Sequence, residues 1–468
     1  MGFVDDLFNL IRNKYLNAAG TERDLLTLIN DRDISQARSL MQNRDEEVLK
    51  AMREYDADLH PIMKKANKLR KGREPYRTEK LPRERQRYIN EVELFFLLAN
   101  NIQWQNESKE EVDEAYNAYT DFLDDTRFNT TIRQAKRTAG AETECAKLYR
   151  IYRDEDNQPK VQVVILSKSK GYTLRPLFDQ YENLMAFGYG YHLKEGKETV
   201  EHFDIETPDY IYRCKRGAID WSVEPVKNPT GKINVIYYRQ EKAWGKMTPR
   251  INREEDIDSK IGDTNNYFAD PIAAATGDVV DFLKDRADRP GKMIRMSGEG
   301  SKFEYINPPT SSETQQKEKE DLAKSILFDT FTPEFSPENM VGLGTLSGEA
   351  IKRAMVLGYI KRDNLKEIYD IAVDREKNLI LAIMMNVTHI HLRSQIAKLK
   401  ITHKFAEPFS EDITARWGAI GSALQNGALS LEKAVELMGT TDDVNEEIQR
   451  IKQAEAERMM ASAVEPSF

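Results

Sequence analysis

The sequence predicts an α+β protein that is mainly helical. Apolar residues recur at helical spacing before Lys147 and again after Lys246, whereas the stretch between them consists of short β-branched and aromatic runs bounded by turn residues. The chain has 468 residues, more than one hydrophobic core usually serves, so two or more domains are expected.

The composition is that of a folded protein with a highly charged surface. Apolar residues make up 40% of the chain, charged residues make up 31%, and the formal net charge is −9. That negative balance argues against a generic basic protein that coats DNA. No run approaches the roughly eighteen apolar residues of a membrane span, and the N-terminus lacks a secretory signal pattern. Cys145 and Cys214 are expected to be buried apolar side chains rather than a disulfide or a zinc site.

The first 87 residues are predicted to contain helices followed by one basic segment. The helices fall within residues 1–55, with breaks near Gly20 and Asn43. The basic segment, Lys64–Arg87, contains eleven Lys and Arg against three Glu, and one glycine and two prolines make it loop-like. It is either a phosphate-binding surface or, as we favour, a solvated or partner-facing surface.

Three buried helices are expected next, and a mainly antiparallel sheet follows them. The predicted helices are Glu91–Trp104, Glu111–Leu123 and Ile132–Ala139, the last with Gly140 as its C-cap. The predicted strands are Lys147–Tyr152, Val161–Leu166, Met185–His192, Val200–Ile205, Tyr210–Arg213 and Ile233–Tyr238. Glycines alternate with aromatic residues over Phe187–Tyr191. These rings could stack on bases, but packing within a strand is the simpler interpretation.

The helical period returns after the sheet. A helix is predicted over Arg253–Lys284, and Asp270-Pro271 is expected to kink or break it. A short β-like insert, Lys292–Ile306, precedes a very polar helix, Ser311–Phe331. A loop with two prolines and two glycines then leads to a long amphipathic helix over Glu349–Leu392, with Ser347 as its N-cap.

The C-terminal part is predicted to be short elements and helices. A short strand is expected over Lys398–Phe405. The last sixty residues are helical with a turn at Asn426-Gly427.

No motif in the chain predicts catalysis, a cofactor or a metal. Gly342–Gly348 has G-x-G-x-x-x-G spacing rather than G-x-G-x-x-G, and prolines interrupt the strand that a dinucleotide site needs. Gly245-Lys246 lacks the upstream glycine of a P-loop. His389 and His391 are two residues apart in a predicted helix and so do not share a face. We therefore expect no enzyme activity and no cofactor.

The order of elements resembles the portal proteins of tailed bacteriophages, of the long-tailed type. Gly231–Tyr238 resembles the family's strand before its first stem helix, and the Asp and Asn pattern from Ile257 to Asn266 resembles that helix. Ser347–Lys352 is similar to the Ser-Gly-x-Ala-Leu-Lys signature of the long wing helix. Leu424–Arg450 resembles the closing pattern of the family. The resemblance covers roughly residues 88–458, and residues 1–87 match poorly.

The resemblance implies a portal fold with wing, stem, clip and helical crown, assembled as a ring. The implied regions, in chain order, are an N-terminal segment at the wing periphery (1–87), the wing (88–252), a stem helix (253–284), the clip (285–310), a second stem helix (311–331), the tunnel loop (332–346), the long wing helix with a strand (347–408) and the crown (409–468).

The resemblance also implies sites and partners. The DNA-facing tunnel loop would comprise Asn339, Met340, Val341, Gly342, Leu343, Gly344 and Thr345. The clip contacts for terminase or adaptor would comprise Lys292, Arg295, Glu299, Lys302, Glu304 and Tyr305. The implied partners are further copies of the chain, usually twelve in a ring, double-stranded DNA in the channel, the large terminase, head–tail adaptor or neck proteins and the major capsid protein. The implied location is the portal vertex of the virion, reached from the host cytoplasm.

Elementary electrostatics agrees with a channel. Each phosphate contact adds salt-dependent affinity, so a channel through which DNA slides should make few of them. An uncharged loop and helices of mixed charge meet that need. The competing hypotheses are a non-enzymatic nucleic-acid-binding protein that acts through residues 64–87 and, less favoured, an enzyme with an unrecognised site.

Overall fold

The structure is a computed structural model that describes residues 15–16, 22–67, 77–108, 112–269, 273–281, 295–305, 311–336, 352–409, 413–439 and 444–463. The chain divides into two compact units, residues 1–333 with 357–406, and residues 334–356 with 407–468. Helices and sheets are both present, so the predicted α+β class is confirmed. None of the helices in the described ranges is long and apolar enough to cross a bilayer.

The helices outside the C-terminal region are, in chain order, α1 (Leu25–Asn30), α2 (Ile34–Leu40), α3 (Asp45–Tyr55), α4 (Arg85–Leu98), α5 (Asp113–Asp125), α6 (Phe128–Glu142), α7 (Thr248–Ala269), α8 (Ser311–Asp329), α9 (Val356–Ile383) and α10 (Arg393–Ile396). The second unit contains α11 (Ile413–Gln425), α12 (Leu431–Met438) and α13 (Val444–Ala463). Its turn at Gly427 has φ +69°, as the predicted Asn-Gly turn requires.

The strands are all paired antiparallel. They are β1 (Tyr15–Leu16), β2 (Glu22–Arg23), β3 (Gln103–Asn106), β4 (Glu144–Arg153), β5 (Pro159–Leu166), β6 (Thr173–Phe178), β7 (Leu184–Glu195), β8 (Glu198–Glu206), β9 (Tyr210–Arg216), β10 (Trp221–Lys227), β11 (Val235–Arg239), β12 (Ala273–Asp281), β13 (Arg295–Tyr305) and β14 (Ile401–Lys404). The two larger sheets have the orders β10-β9-β8-β7-β6 and β11-β4-β5, and the pairs β1-β2, β12-β13 and β14-β3 stand apart.

The main core lies between the three-stranded sheet and helices α4, α5, α6 and α9. At its centre Lys147 of β4 and Glu376 of α9 form a fully buried ion pair. The hydroxyl groups of Tyr149 and Tyr238 both donate to Glu376, the second over 2.7 Å. A buried charge is tolerable only when its partner and its hydrogen bonds are all in place, so these four residues fix how α9 lies on the sheet.

The five-stranded sheet packs on both of its faces. One face is covered by α1 and α2, and the other contacts the three-stranded sheet. A side chain at Gly188 would lie 2.5 Å from the ring of Phe203, and Phe187 and Tyr189 are buried between the sheets. The glycine–aromatic alternation is thus explained by strand packing. Cys145 and Cys214 are free and buried, and burial raises the pKa of both thiols.

Three predicted element boundaries are wrong. The helix predicted to reach Lys284 ends at Ala269, and β12 follows it, because Pro271 lacks the N–H that a helix needs and β12 contains β-branched residues. Helix α6 continues past Gly140 to Glu142, and Thr143, with φ +71°, is its C-cap. The long helix ends at Ile383 rather than Leu392. Weak helix formers around Val387 adopt a π-turn, Met384–Thr388.

Candidate functional site

Helix α7 carries a dense row of carboxylates. Its sequence from Arg253 to Asp263 contains Glu254, Glu255, Asp256, Asp258 and Asp263. The side chains of Glu254 and Glu255 are completely buried, and Asp258 and Asp263 are nearly so. Burial of so many carboxylates disfavours their charged forms unless each finds a donor, so the neighbours of α7 decide whether this helix is stable.

The chain after the basic segment's midpoint supplies those donors from its backbone. We call residues 77–85 the strap. The N–H groups of Glu79, Leu81 and Arg83 donate to Asp263 (2.8 Å), Ser259 (3.1 Å) and Glu255 (2.8 Å) respectively. Two residues of extended chain span about 6.6 Å and four helical residues about 6 Å, so alternate strap amides meet every fourth residue of α7. The strap therefore runs antiparallel to α7.

Cations from the same region complete the pairing. Lys65 contacts Asp256 at 2.5 Å, Arg83 pairs with Asp258, and Arg85 pairs with Glu254 at 2.7 Å. These three cations of the basic segment therefore face a helix of their own chain. The interpretation that we favoured, a solvated or partner-facing surface, is wrong for them, and so is the phosphate-binding one. Residues 68–76, with the other cations between them, lie outside the described residues.

A histidine is built into the same contact. Nδ1 of His60 lies 2.6 Å from Oε1 of Glu255, and both side chains are buried. Burial disfavours the charged imidazole, but the hydrogen bonds to Glu255 and to the Glu54 carbonyl outweigh it, and the pKa of His60 is raised. His60 thus stabilises the Glu255 carboxylate from the side opposite the strap's backbone.

Helix α8 packs beside α7 through ion pairs. Arg253 contacts Glu318 at 2.8 Å, Lys319 contacts Asp258 at 2.7 Å, and Arg250 pairs with Asp329. The exposed residues of α8 alternate in charge, and they are Glu313, Lys317, Glu320 and Lys324. The two helices and the strap therefore form a charged layer in which most charges are neutralised within one chain.

The predicted clip residues fall largely on one strand. Arg295, Glu299, Lys302, Glu304 and Tyr305 all lie on β13, which pairs with β12 in a register that sets Tyr305 opposite Ala273. Lys292 lies outside the described residues.

The tunnel-loop residues Asn339, Met340, Val341, Gly342, Leu343, Gly344 and Thr345 also lie outside the described residues, and of the loop's start the structure shows residues 332–336. In the ranges that the structure describes, no three His, Cys, Asp or Glu side chains are placed to bind a metal ion.

The sequence matches the family model for phage portal proteins of the SPP1 Gp6-like type over residues 39–460. The chain belongs to this portal family. The match begins well before residue 88, so the basic segment and the strap are part of the region shared with the family, contrary to our expectation for residues 1–87. The portal protein is accordingly a phage head–tail connector protein and is associated with the virion. Portal proteins of this family are generally structural rather than catalytic.

The other comparisons add little to the identification. No curated protein matches the portal protein. Its fold is similar to that of a chain in a solved structure described as the neck of a native GTA particle computed with C12 symmetry. The two are 10% identical with a TM-score of 0.40, and the similarity covers 76% of this chain and 91% of that chain.

Proposed function

We propose that the portal protein forms a ring-shaped channel at one capsid vertex, through which double-stranded DNA is packaged, retained and ejected. In this proposal twelve subunits form the ring. The large terminase docks on it during packaging, head–tail adaptor or neck proteins dock on it afterwards, and the major capsid protein surrounds it. The portal family identifies the class of protein, and the stoichiometry and the partners are part of the proposal.

The regions follow the family order with adjusted boundaries. Helices α7 and α8 are the stem, and the pair β12-β13 is the core of the clip. Residues 332–346 are the tunnel loop, and residues 339–345 approach the DNA. Residues 409–468 are the crown, and the sheets with α4–α6 and α9 are the wing.

The observation that carries the proposal is the internal neutralisation of the stem. The buried carboxylates of α7 are paired with the strap and with α8, and the exposed residues of α8 carry both signs of charge. Such a surface offers DNA no continuous row of cations, and it therefore adds little salt-dependent affinity to a duplex that must slide. The hypothesis of a nucleic-acid-binding protein needs free cations in the basic segment, and those that the structure describes at Lys65, Arg83 and Arg85 are already paired.

The experiment that tests the proposal removes the loop. Deletion of Val341–Thr345 should leave assembly intact and reduce DNA packaging or retention, measured as nuclease-protected DNA per particle. Replacement of the same five residues by Gly and Ser is the control that keeps the loop's length. Normal packaging and retention by the deletion variant would refute the loop's role.

A further inference from the structure

Helix α8 ends in a tight turn whose backbone is left-handed at a residue other than glycine. The Phe331 N–H donates to the Phe328 carbonyl over 3.0 Å, and the Thr332 N–H donates to the Leu327 carbonyl over 2.8 Å. Phe331 has φ +50°. This pair of bonds is the Schellman motif, which in most helices places a glycine at the left-handed position.

Phenylalanine is poorly suited to that position. Its Cβ approaches the following carbonyl oxygen in the left-handed region, and a bulky residue there is an outlier. Burial of the ring does not compensate, because Phe331 is 41% exposed. The turn must therefore be held by contacts of the residues beside it.

Those contacts come from Thr332 and Pro333. Thr332 is 2% exposed, and its Oγ1 accepts a hydrogen bond from Nζ of Lys361 on α9 over 3.0 Å. The same Oγ1 lies 2.9 Å from Oγ1 of Thr330. The hydroxyl of Tyr88 on α4 donates to the Pro333 carbonyl over 2.8 Å.

Lys361 is itself held by a buried carboxylate. Its Nζ lies 3.3 Å from Oε1 of Glu93 on α4, and Lys136 of α6 contacts the other oxygen of Glu93 at 2.7 Å. Glu93 thus has two cationic partners, and only Lys361 also reaches the turn. Charged donors give stronger hydrogen bonds than neutral ones, so the bond to Thr332 is the principal restraint on the turn.

We propose that Lys361 is a positioning residue that holds the left-handed turn at Phe331 and so fixes where the chain leaves α8 for residues 334–351. In its consequence for DNA, the inference rests on the proposed function, since the tunnel loop begins at Thr332. The positioning role itself depends only on the contacts among Lys361, Thr332, Glu93 and the turn.

Hydrogen exchange of the Thr332 amide in the assembled protein tests the positioning role. Lys361→Met and the nearly isosteric Thr332→Val should each speed exchange roughly tenfold or more, because each removes the bond from the charged donor. Lys136→Met is the matched control. It also takes one cation from Glu93 but leaves Thr332 untouched, so exchange at Thr332 should stay within about threefold of wild type.

A suppressor separates this role from general loss of stability. Phe331→Gly removes the steric penalty of the left-handed turn, so the double variant Phe331→Gly/Lys361→Met should return Thr332 exchange to within about threefold of wild type. Equal exchange in Lys136→Met and Lys361→Met, or no suppression by glycine, would overturn the proposal. If Lys361→Met fails to fold, unchanged exchange in Thr332→Val would overturn it.

DNA retention by the same variants distinguishes the two proposals. Faster exchange at Thr332 together with reduced DNA retention supports both. Faster exchange with normal retention leaves the positioning role intact and counts against the tunnel-loop function. Unchanged exchange in both Lys361→Met and Thr332→Val, with reduced retention in the loop deletion, overturns the positioning role and leaves the proposed function standing.

Discussion

Arg85 of α4 holds the buried carboxylate of Glu254 on α7 with two parallel bonds. Its Nη2 lies 2.7 Å from Oε1 and its Nε lies 3.1 Å from Oε2. The Glu254 side chain is completely buried, whereas that of Arg85 is 24% exposed. A planar guanidinium matches a carboxylate in this way, and the pair joins residues far apart in the chain.

Replacement of Arg85 by glutamine should therefore destabilise the protein without affecting DNA binding. The variant leaves Glu254 buried without its cation, and loss of one partner of a buried pair costs about 3–5 kcal/mol. Denaturant unfolding measures the loss. The salt dependence of DNA binding should not change, because Arg85 is not free to contact phosphates.

Arg87→Gln is the matched control for that substitution. Arg87 pairs with the exposed Glu84 three residues away on the surface, and such a pair contributes about 0–1 kcal/mol. A DNA affinity that falls in Arg85→Gln and keeps its usual stability would support the nucleic-acid-binding hypothesis instead.

Gly358 marks the closest approach of α9 to α4. A Cβ at this position would lie 2.2 Å from Cζ of Phe96, whose ring is fully buried and cannot move aside easily. Gly358→Ala should therefore lower the free energy of unfolding by about 1–3 kcal/mol, as overpacked cores do.

Gly418→Ala provides the comparison, since a Cβ there meets nothing within 4 Å. An alanine within helix α11 should stabilise it by about 0.5–1 kcal/mol. Denaturant unfolding of both variants gives the result. Similar effects of the two substitutions would show that the contact between α9 and α4 is looser than the structure has it.

Glu206 gives the protein a pH dependence between the two sheets. Burial, followed by the nearby charge of Asp204, raises the pKa of Glu206 to about 8 from its ordinary 4.5. Between pH 4.5 and 8 the folded protein keeps a proton that the unfolded chain has lost, so this residue makes stability fall as pH rises through that window.

Glu206→Gln removes that dependence. Relative to wild type the variant should gain stability from pH 5 to pH 8, by at most about 4 kcal/mol. Glu198→Gln, at the exposed start of the same strand, should follow the wild-type profile. Unfolding free energies at a series of pH values test this, and parallel profiles for wild type and Glu206→Gln would contradict the buried-proton account.

The sequence predicted most strands, and the two that it missed share a feature. Strands β6 and β10 contain Pro176 and Pro225 and form the two edges of the five-stranded sheet. A proline cannot donate to the next strand, so it is tolerated at an edge and hides the strand from a pattern search. The central strands, which are rich in β-branched and aromatic residues, were predicted correctly.

The packing of the strap against α7 was not predictable from local patterns. Leu81 and Ser259 are 178 residues apart, and neither lies in a motif. The signal that could have revealed the contact is the complementarity between eleven cations over Lys64–Arg87 and the carboxylates of α7. The turn at Phe331 was hidden for a different reason, since its sequence lacks the glycine that usually marks such a turn. The clip and tunnel-loop residues stay predictions.

Assembly of the purified full-length protein tests the central claim most directly. Native mass spectrometry combined with negative-stain imaging would show the number of subunits and whether they close into a ring. The account predicts closed rings with a central channel, of twelve subunits. A protein that stays monomeric or dimeric under all assembly conditions would contradict it.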